Sequence, residues 1–231
     1  MNIAIIPARG GSKGIKNKNL KKINNQTLLS RTIKAAQDSQ TIDHIFVSSD
    51  SKEILDEAEK NNAFSIQRNK ELSLDITSTE PVILHAITEI EKKIDKISLI
   101  IILQCTSTFT TANEIDKVIN FLDKNKSQHD SAFAASSFHG FIWKYNEQIN
   151  SASGVNHINS KPRIRRQDLS SKQYLELGSV YAVQKKAFIR SQSRFGFNPM
   201  PVEVKTINSY LEIDTLEDLK IAQLIAKSEI L

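Results

Sequence analysis

Residues 98–104 read SLIIILQ: five aliphatic residues in a row, Leu99 to Leu103, closed by the amide Gln104. A strand turns successive side chains to opposite faces, so a run that is apolar at every position buries both. This predicts the central strand of a parallel sheet with helices on either side. Segments of the same kind lie upstream. NIAII (2–6) ends at Pro7, and HIFVSSD (44–50) ends at an acid. Between the strands, apolar residues recur at helical spacing, as in Leu28, Leu29, Ile33 and Ala36 of segment 27–39. Further helices are expected at 51–63 with Ser51 as N-cap, at 78–94 with Pro81 in the first turn, and at 110–125. SAFAAS (131–136) is another strand. Strand and helix alternate through the first 137 residues, which gives an α/β fold with a mostly parallel sheet and helices on both faces.

Ligands of such sheets bind beyond the carboxyl ends of the strands. Three polar clusters fall there: RGGSKG (9–14), SSD (48–50) and QCTS (104–107). They are expected to converge on one pocket. The alternation breaks over 138–176, which holds His139, Trp143, Tyr145, His157, the basic run KPRIRRQ and Tyr174. It reads as an excursion from the core of a single domain, 1–231. GSVYAVQ (178–184) and YLEID (210–214) are read as strands. The closing segment 215–230 is read as a helix with Thr215 as N-cap and Asp218 in the capping-box position.

Composition bounds the function. Of 231 residues, 39% are hydrophobic and 25% charged, which is ordinary for a globular domain. No apolar run is long enough to span a bilayer, and the N-terminus has no signal-peptide pattern, so the expected location is the cytoplasm. The single cysteine, Cys105, excludes an intrachain disulfide and reads as a buried thiol. A net charge of +5 suits an anionic substrate as well as a nucleic acid. KPRIRRQ lacks the aromatic interleaving of a nucleic-acid module.

The chemistry concentrates at two places. After the first strand, Gly10, Gly11 and Gly14 allow close backbone approach, free N–H groups can cradle an anion, and Arg9, Lys13 and Lys18 add charge suited to a triphosphate. The pattern is neither GxGxxG nor a P-loop. In EIDT, Glu212 and Asp214 are two apart, so on a strand they share a side and could hold Mg²⁺. Read alone, Asp214 equally fits a helix cap. The arginines of RIRRQ (Arg163, Arg165, Arg166) fit carboxylate or phosphate binding, or a basic surface patch. The two loop histidines have no metal spacing, and no serine triad is visible.

IIPARGGSKGIKNKNL (5–20) resembles the N-terminal motif of the acylneuraminate cytidylyltransferases, the CMP-sialic acid synthetase family. FVSSD, LQCTS, RRQDL with the following Y and GSVY, and EIDTLEDL agree in order and spacing, so the resemblance covers nearly the whole chain. It implies a Rossmann-like nucleotidyltransferase fold with a protruding dimerisation element at 138–176. It also implies transfer of CMP from CTP to an acidic nine-carbon 2-keto sugar, with Mg²⁺ and release of pyrophosphate. By motif match, Arg9, Gly10, Gly11, Ser12, Lys13 and Lys18 hold the triphosphate, with Lys18 nearest the α-phosphate, and Asn19, Arg68 and Ser78 serve the nucleoside. Gln104, Tyr181, one of Phe195 and Phe197, and Arg165 and Arg166 of a neighbouring subunit serve the sugar. Asp214 with Glu212 holds the metal. The expected partners are CTP, a nonulosonate and a second copy of the chain, with no nucleic acid and no membrane.

Three departures fall on the sugar side and the metal. Glu212 stands where the family commonly has Asp, Leu177 precedes Gly178 in a segment one residue longer, with Glu176 nearby, and Cys105 replaces a proline. They leave the sugar open among sialic, legionaminic, pseudaminic and deaminated acids. The rival reading is a homologue that binds nucleotide or sugar without turnover.

Overall fold

The computed structural model describes residues 1–12, 14–168, 172–204 and 210–228, apart from the side chain of Arg166. From the N-terminus, β1 (Asn2–Pro7) leads through a loop to the small hairpin β2 (Lys22–Ile23) and β3 (Gln26–Thr27) and on to α1 (Leu28–Gln37). There follow β4 (His44–Ser49), α2 (Lys52–Lys60), β5 (Phe64–Gln67), α3 (Thr79–Glu91), β6 (Leu99–Leu103), α4 (Ala112–Asn125) and β7 (Ser131–Phe138). A second hairpin, β8 (Trp143–Asn146) and β9 (Ser151–Gly154), interrupts the alternation. The chain then completes β10 (Gln173–Gln184), α5 (Lys185–Ser191), β11 (Pro199–Glu203) and α6 (Leu216–Lys227).

The main sheet has the order β11-β7-β10-β6-β1-β4-β5. Every neighbouring pair is parallel except those of β10, which runs against β6 and β7. The run at 98–104 is indeed central, and its period of two sorts the core. Ile101 and Leu103 face Leu29 and Ile33 of α1 and Ile115 and Ile119 of α4. Ile100 and Ile102 face Ile83 and Ile87 of α3 and Phe188 of α5. Helix starts follow local chemistry: Thr27 Oγ1 accepts from the Ser30 N–H, and Thr111 with Glu114 and Thr215 with Asp218 form reciprocal capping boxes. Ser51 precedes α2 but makes no cap bond; its hydroxyl donates to Glu53.

The structure corrects several sequence expectations. YLEID is not a strand: Tyr210 lies in a turn and 211–214 join no ladder. Its alternation has another cause. Ile213 is fully buried in the core and its N–H donates to Thr106 O at 3.1 Å. The strand at 178–184 begins five residues earlier, is antiparallel, and shifts register between Glu176 and Tyr181. Residues 138–176 contain the β8–β9 hairpin and the start of β10. The edge strands β5 and β11 escape a pattern search for physical reasons. Within β5 only Ile66 is buried, and β11 reads PMPVE, whose prolines are tolerated because an edge strand can spare ladder donors. Among the described residues no helix is long and apolar enough to cross a membrane.

Candidate active site

The carboxyl ends of β1, β5 and β6 open onto a cleft of about 480 Å³. Arg9, Ser12, Gly14, Lys18, Asn19, Arg68, Ser78, Gln104 and Asp214 all line it. Elements from the first tenth and the last tenth of the chain therefore meet in one place.

The loop after β1 is held from within. The Asn19 amide donates to Arg9 O at 3.0 Å, and Asn19 itself is buried. Arg9 pairs with Asp75 at 2.7 Å, and Lys18 pairs with Asp214 at 2.9 Å. The Gly10 N–H is spent on Asp50 Oδ1 at 3.0 Å, so it braces the loop. Gly11 has open space around its missing side chain. Gly14 does not: a Cβ there would collide with the carbonyl oxygen of Asp214. Gly178, at φ +62°, meets the carboxylate of Glu212 in the same way. These two glycines let the 212–214 segment approach the loop on one side and β10 on the other. Lys13 lies outside the described residues.

The SSD cluster supports the cleft and contributes no lining residue. Ser48 and Ser49 are fully buried. Burial pushes the Asp50 carboxyl up, but the Gly10 N–H, further hydrogen bonds and the Arg68 guanidinium outweigh it and hold it below the usual carboxylate range. Arg68 is only 4% exposed; its Nε donates to Ser73 Oγ at 2.8 Å, and burial lowers its pKa against the opposing pull of Asp50. Ser78 is the N-cap residue of α3, yet its side chain makes no cap bond, so a hydroxyl and a helix N-terminus both stand at the cleft. Cys105 is 3% exposed and its thiol is pushed up to about 12 by burial, so it is not a nucleophile here.

Glu212 is raised above its ordinary value by burial first, then by Asp214 and Glu176, against the pull of Lys18. Among the described residues no cluster of three or more His, Cys, Asp or Glu forms, so Glu212 and Asp214 would supply at most a partial ligand set. Oxygen donors of this kind, completed by substrate phosphates and water, fit Mg²⁺.

Sequence reasoning missed one wall of the cleft, the 72–77 segment with Leu72, Leu74, Asp75 and Thr77. Its one legible signal was its position directly after Arg68. The expected sugar-side residues separate. Tyr181 is buried against Phe133 and Phe195, and its hydroxyl donates to Glu176. Phe197 is 60% exposed and lies at the opposite edge of the sheet, where its N–H donates to Asp130 ahead of β7. Arg165 is exposed on the excursion and pairs with Asp168 at 2.6 Å; the Arg166 side chain is outside the described residues. His157 packs between Phe141 and Trp143.

A family model described as cytidylyltransferase matches residues 3–227. The pseudaminic acid cytidylyltransferase of Campylobacter jejuni serotype O:2 is 30% identical over 98% of this chain and 96% of its own length. The chain belongs to the acylneuraminate cytidylyltransferase family. It is thus a nucleotidyltransferase. The zebrafish (Danio rerio) N-acylneuraminate cytidylyltransferase A is 33% identical over 79% of the chain, which spans 41% of that larger relative. A solved CMP:2-keto-3-deoxy-manno-octonic acid synthetase complexed with CTP superposes with a TM-score of 0.71 at 16% identity, covering 98% of this chain and 99% of that one. At that identity it shows the shared cytidylyltransferase fold, with its mostly parallel sheet.

Proposed function

We propose that the chain transfers CMP from CTP to an acidic nine-carbon 2-keto sugar and releases pyrophosphate. The observation that carries this reading is the gathering of Arg9, Lys18, Arg68, Ser78 and Asp214 in one cleft, in a chain aligned end to end with a pseudaminic acid cytidylyltransferase. The anomeric 2-hydroxyl attacks the α-phosphorus in line. An O–P bond to the sugar forms, the bond to the β-phosphate bridge breaks, the hydroxyl proton passes to solvent, and pyrophosphate leaves. Such a transfer needs positioning and charge compensation above all.

Arg9 and Lys18 receive the triphosphate by exchanging their partners Asp75 and Asp214 for phosphate oxygens. Arg68 and Ser78 hold the nucleoside, with Asn19 keeping the loop in shape. Gln104, Tyr181 and Phe195 form the sugar side. Mg²⁺ would be held by Asp214 with Glu212 beside it, and supplies neutralisation of phosphate charge. The exposed apolar residues of the hairpin region, Phe141, Trp143, Tyr145 and Val155 among them, suit a homodimer in which Arg165 and Arg166 serve the neighbour's sugar. A two-stranded hairpin cannot bury such groups by itself.

The test is pyrophosphate release from CTP and Mg²⁺ with a panel of pseudaminic, N-acetylneuraminic, N,N'-diacetyllegionaminic and deaminated neuraminic acids and 2-keto-3-deoxy-manno-octonic acid. The expected result is release with a nine-carbon acid. CTP binding without release for any acid would favour the binding-only homologue.

A further inference from the structure

A second pocket, of about 300 Å³, lies between α1 and the start of α4 and shares no lining residue with the cleft. Gln26 of β3, Arg31 and Lys34 of α1, and Thr108, Phe109 and Ala112 help to form it. Its arginine differs from the others that are withdrawn from solvent. Arg9, Arg68 and Arg194 each face a carboxylate: Asp75 at 2.7 Å, Asp50 at 3.9 Å and Glu80 at 2.9 Å. Arg31 is part-buried too, yet it makes no ion pair among the described residues. Burial lowers its pKa, and no acid opposes that shift. Its Nε donates to Thr108 O at 3.2 Å, and its guanidinium carbon sits 5.5 Å from the centroid of the Phe109 ring. One edge of the group is thus spent and its plane is set, while the terminal nitrogens keep their donors. A fixed guanidinium with no acid beside it suits an anion from outside the chain.

Two further kinds of donor stand with it. The capping box of α4 satisfies the N–H groups of Thr111 and Glu114. The N–H groups of Ala112 and Asn113, the first two residues of this 14-residue helix, have no acceptor among the described residues. Open N–H groups at a helix N-terminus favour negative charge. Thr108 is 4% exposed, and its hydroxyl has no hydrogen-bond partner. A buried hydroxyl left open carries a desolvation cost that a ligand oxygen relieves. Lys34 pairs with Asp38 at 3.1 Å, and both line the pocket, so its lining includes two cations and one carboxylate.

We propose that this pocket is an anion site for the phosphate group of a small molecule, separate from the cleft. The phosphate sits between Arg31 and the start of α4, and Ala35 and Phe109 leave apolar surface for a short carbon skeleton. The two pockets share one loop. Residues 104–106 line the cleft and 108–112 line the second pocket. Between them, the Thr110 N–H and hydroxyl both donate to Ser107 O, at 3.1 and 2.7 Å. A ligand in the second pocket therefore bears on the loop that carries Gln104.

The experiment uses the full chain, labelled with ¹⁵N, as wild type, Arg31→Gln and Ala112→Pro. Inorganic phosphate and glycerol 1-phosphate are titrated separately, and the backbone amide signals of Asn113 and Gly11 report the two pockets independently of turnover. Proline is tolerated at the first position of a helix, and Thr111 is already extended, so A112P removes one N–H and keeps the helix. In wild type the Asn113 signal should move saturably, with Kd below about 5 mM for at least one probe. R31Q should weaken this at least about tenfold, the cost expected for losing a charge-assisted pair, and A112P at least about threefold. The Gly11 response should stay the same in all three. The tighter of the two probes tells whether the site takes free phosphate or a phosphate monoester. No saturable movement at Asn113 in wild type overturns the proposal. So does equal affinity in wild type and both variants, and if R31Q does not fold, A112P alone decides.

Discussion

Lys18 and Asp214 are 196 residues apart in sequence and 2.9 Å apart in space. The lysine is 15% exposed and the carboxylate 68%. The pair joins the two ends of the chain at the cleft, and it couples the two charges that the proposed reaction would use separately, Lys18 for phosphate and Asp214 for Mg²⁺.

Lys18→Ala should therefore lower kcat by about 10²- to 10³-fold, the usual cost of removing one preorganised charge-stabilising donor. The fold should survive, because the side chain lies at the cleft and packs into neither core layer. Circular dichroism and single-turnover kinetics on the same preparation check this. Undiminished turnover would remove Lys18 from the chemistry.

Asp214 and Glu212 should differ. Asp214 lines the cleft, whereas Glu212 is held against Gly178. Asp214→Asn should raise the Mg²⁺ concentration for half-maximal rate by about tenfold or more, in line with losing one hard anionic ligand. Glu212→Gln should raise it less. A magnesium titration of initial rate separates the two, and equal effects would place both carboxylates on the metal.

Asp50 supplies a pH dependence. Its folded pKa lies below the ordinary 3.8, so its contribution to stability is complete above that value and is lost as pH falls through the folded value. Asp50→Asn should cost roughly 1 kcal/mol at neutral pH, the difference between a charged and a neutral acceptor. The gap between wild type and variant should narrow below about pH 4. Urea melts at pH 7, 5, 4 and 3 measure this, and a gap constant across the series would contradict it.

Much of this was legible in the residues, and the exceptions have physical causes. Five aliphatics at 99–103 can only be accommodated by burial on both faces, which identified the central strand and with it the parallel sheet. The glycines and lysines of 9–18 marked a loop of which Arg9, Ser12, Gly14 and Lys18 line the cleft. What stayed hidden depends on contacts made across the chain. EIDT looks like a strand because Ile213 points inward, yet its backbone joins no ladder, and the Ile213 N–H donates to Thr106 O instead. The proline-containing β11 breaks strand rules that an edge position relaxes. Asp75 carries no local signal of its pairing with Arg9, and neither Glu80 nor Arg194 shows the other in sequence.

The core makes a separate prediction. Ile101 is fully buried between β1 and β10 neighbours and the α1–α4 layer. Ile101→Ala should cost about 2–5 kcal/mol, since the close-packed centre of the sheet cannot collapse into the space left. Chemical denaturation gives the value, and a loss below about 1 kcal/mol would mean the strand is less central than its packing shows.

The hairpin should govern association. Trp143→Ser with Tyr145→Ser removes exposed aromatic area without touching the cleft. Sedimentation velocity should show a dimer in wild type and a monomer in the variant, with turnover falling alongside if Arg165 reaches the neighbour's site. A wild-type monomer with full activity would contradict the dimer.

The most direct measurement is pyrophosphate release by the wild-type chain from CTP and Mg²⁺ across the acid panel. The account predicts release with at least one nine-carbon 2-keto acid, dependent on metal and on Lys18. CTP binding with no release for any acid would contradict it.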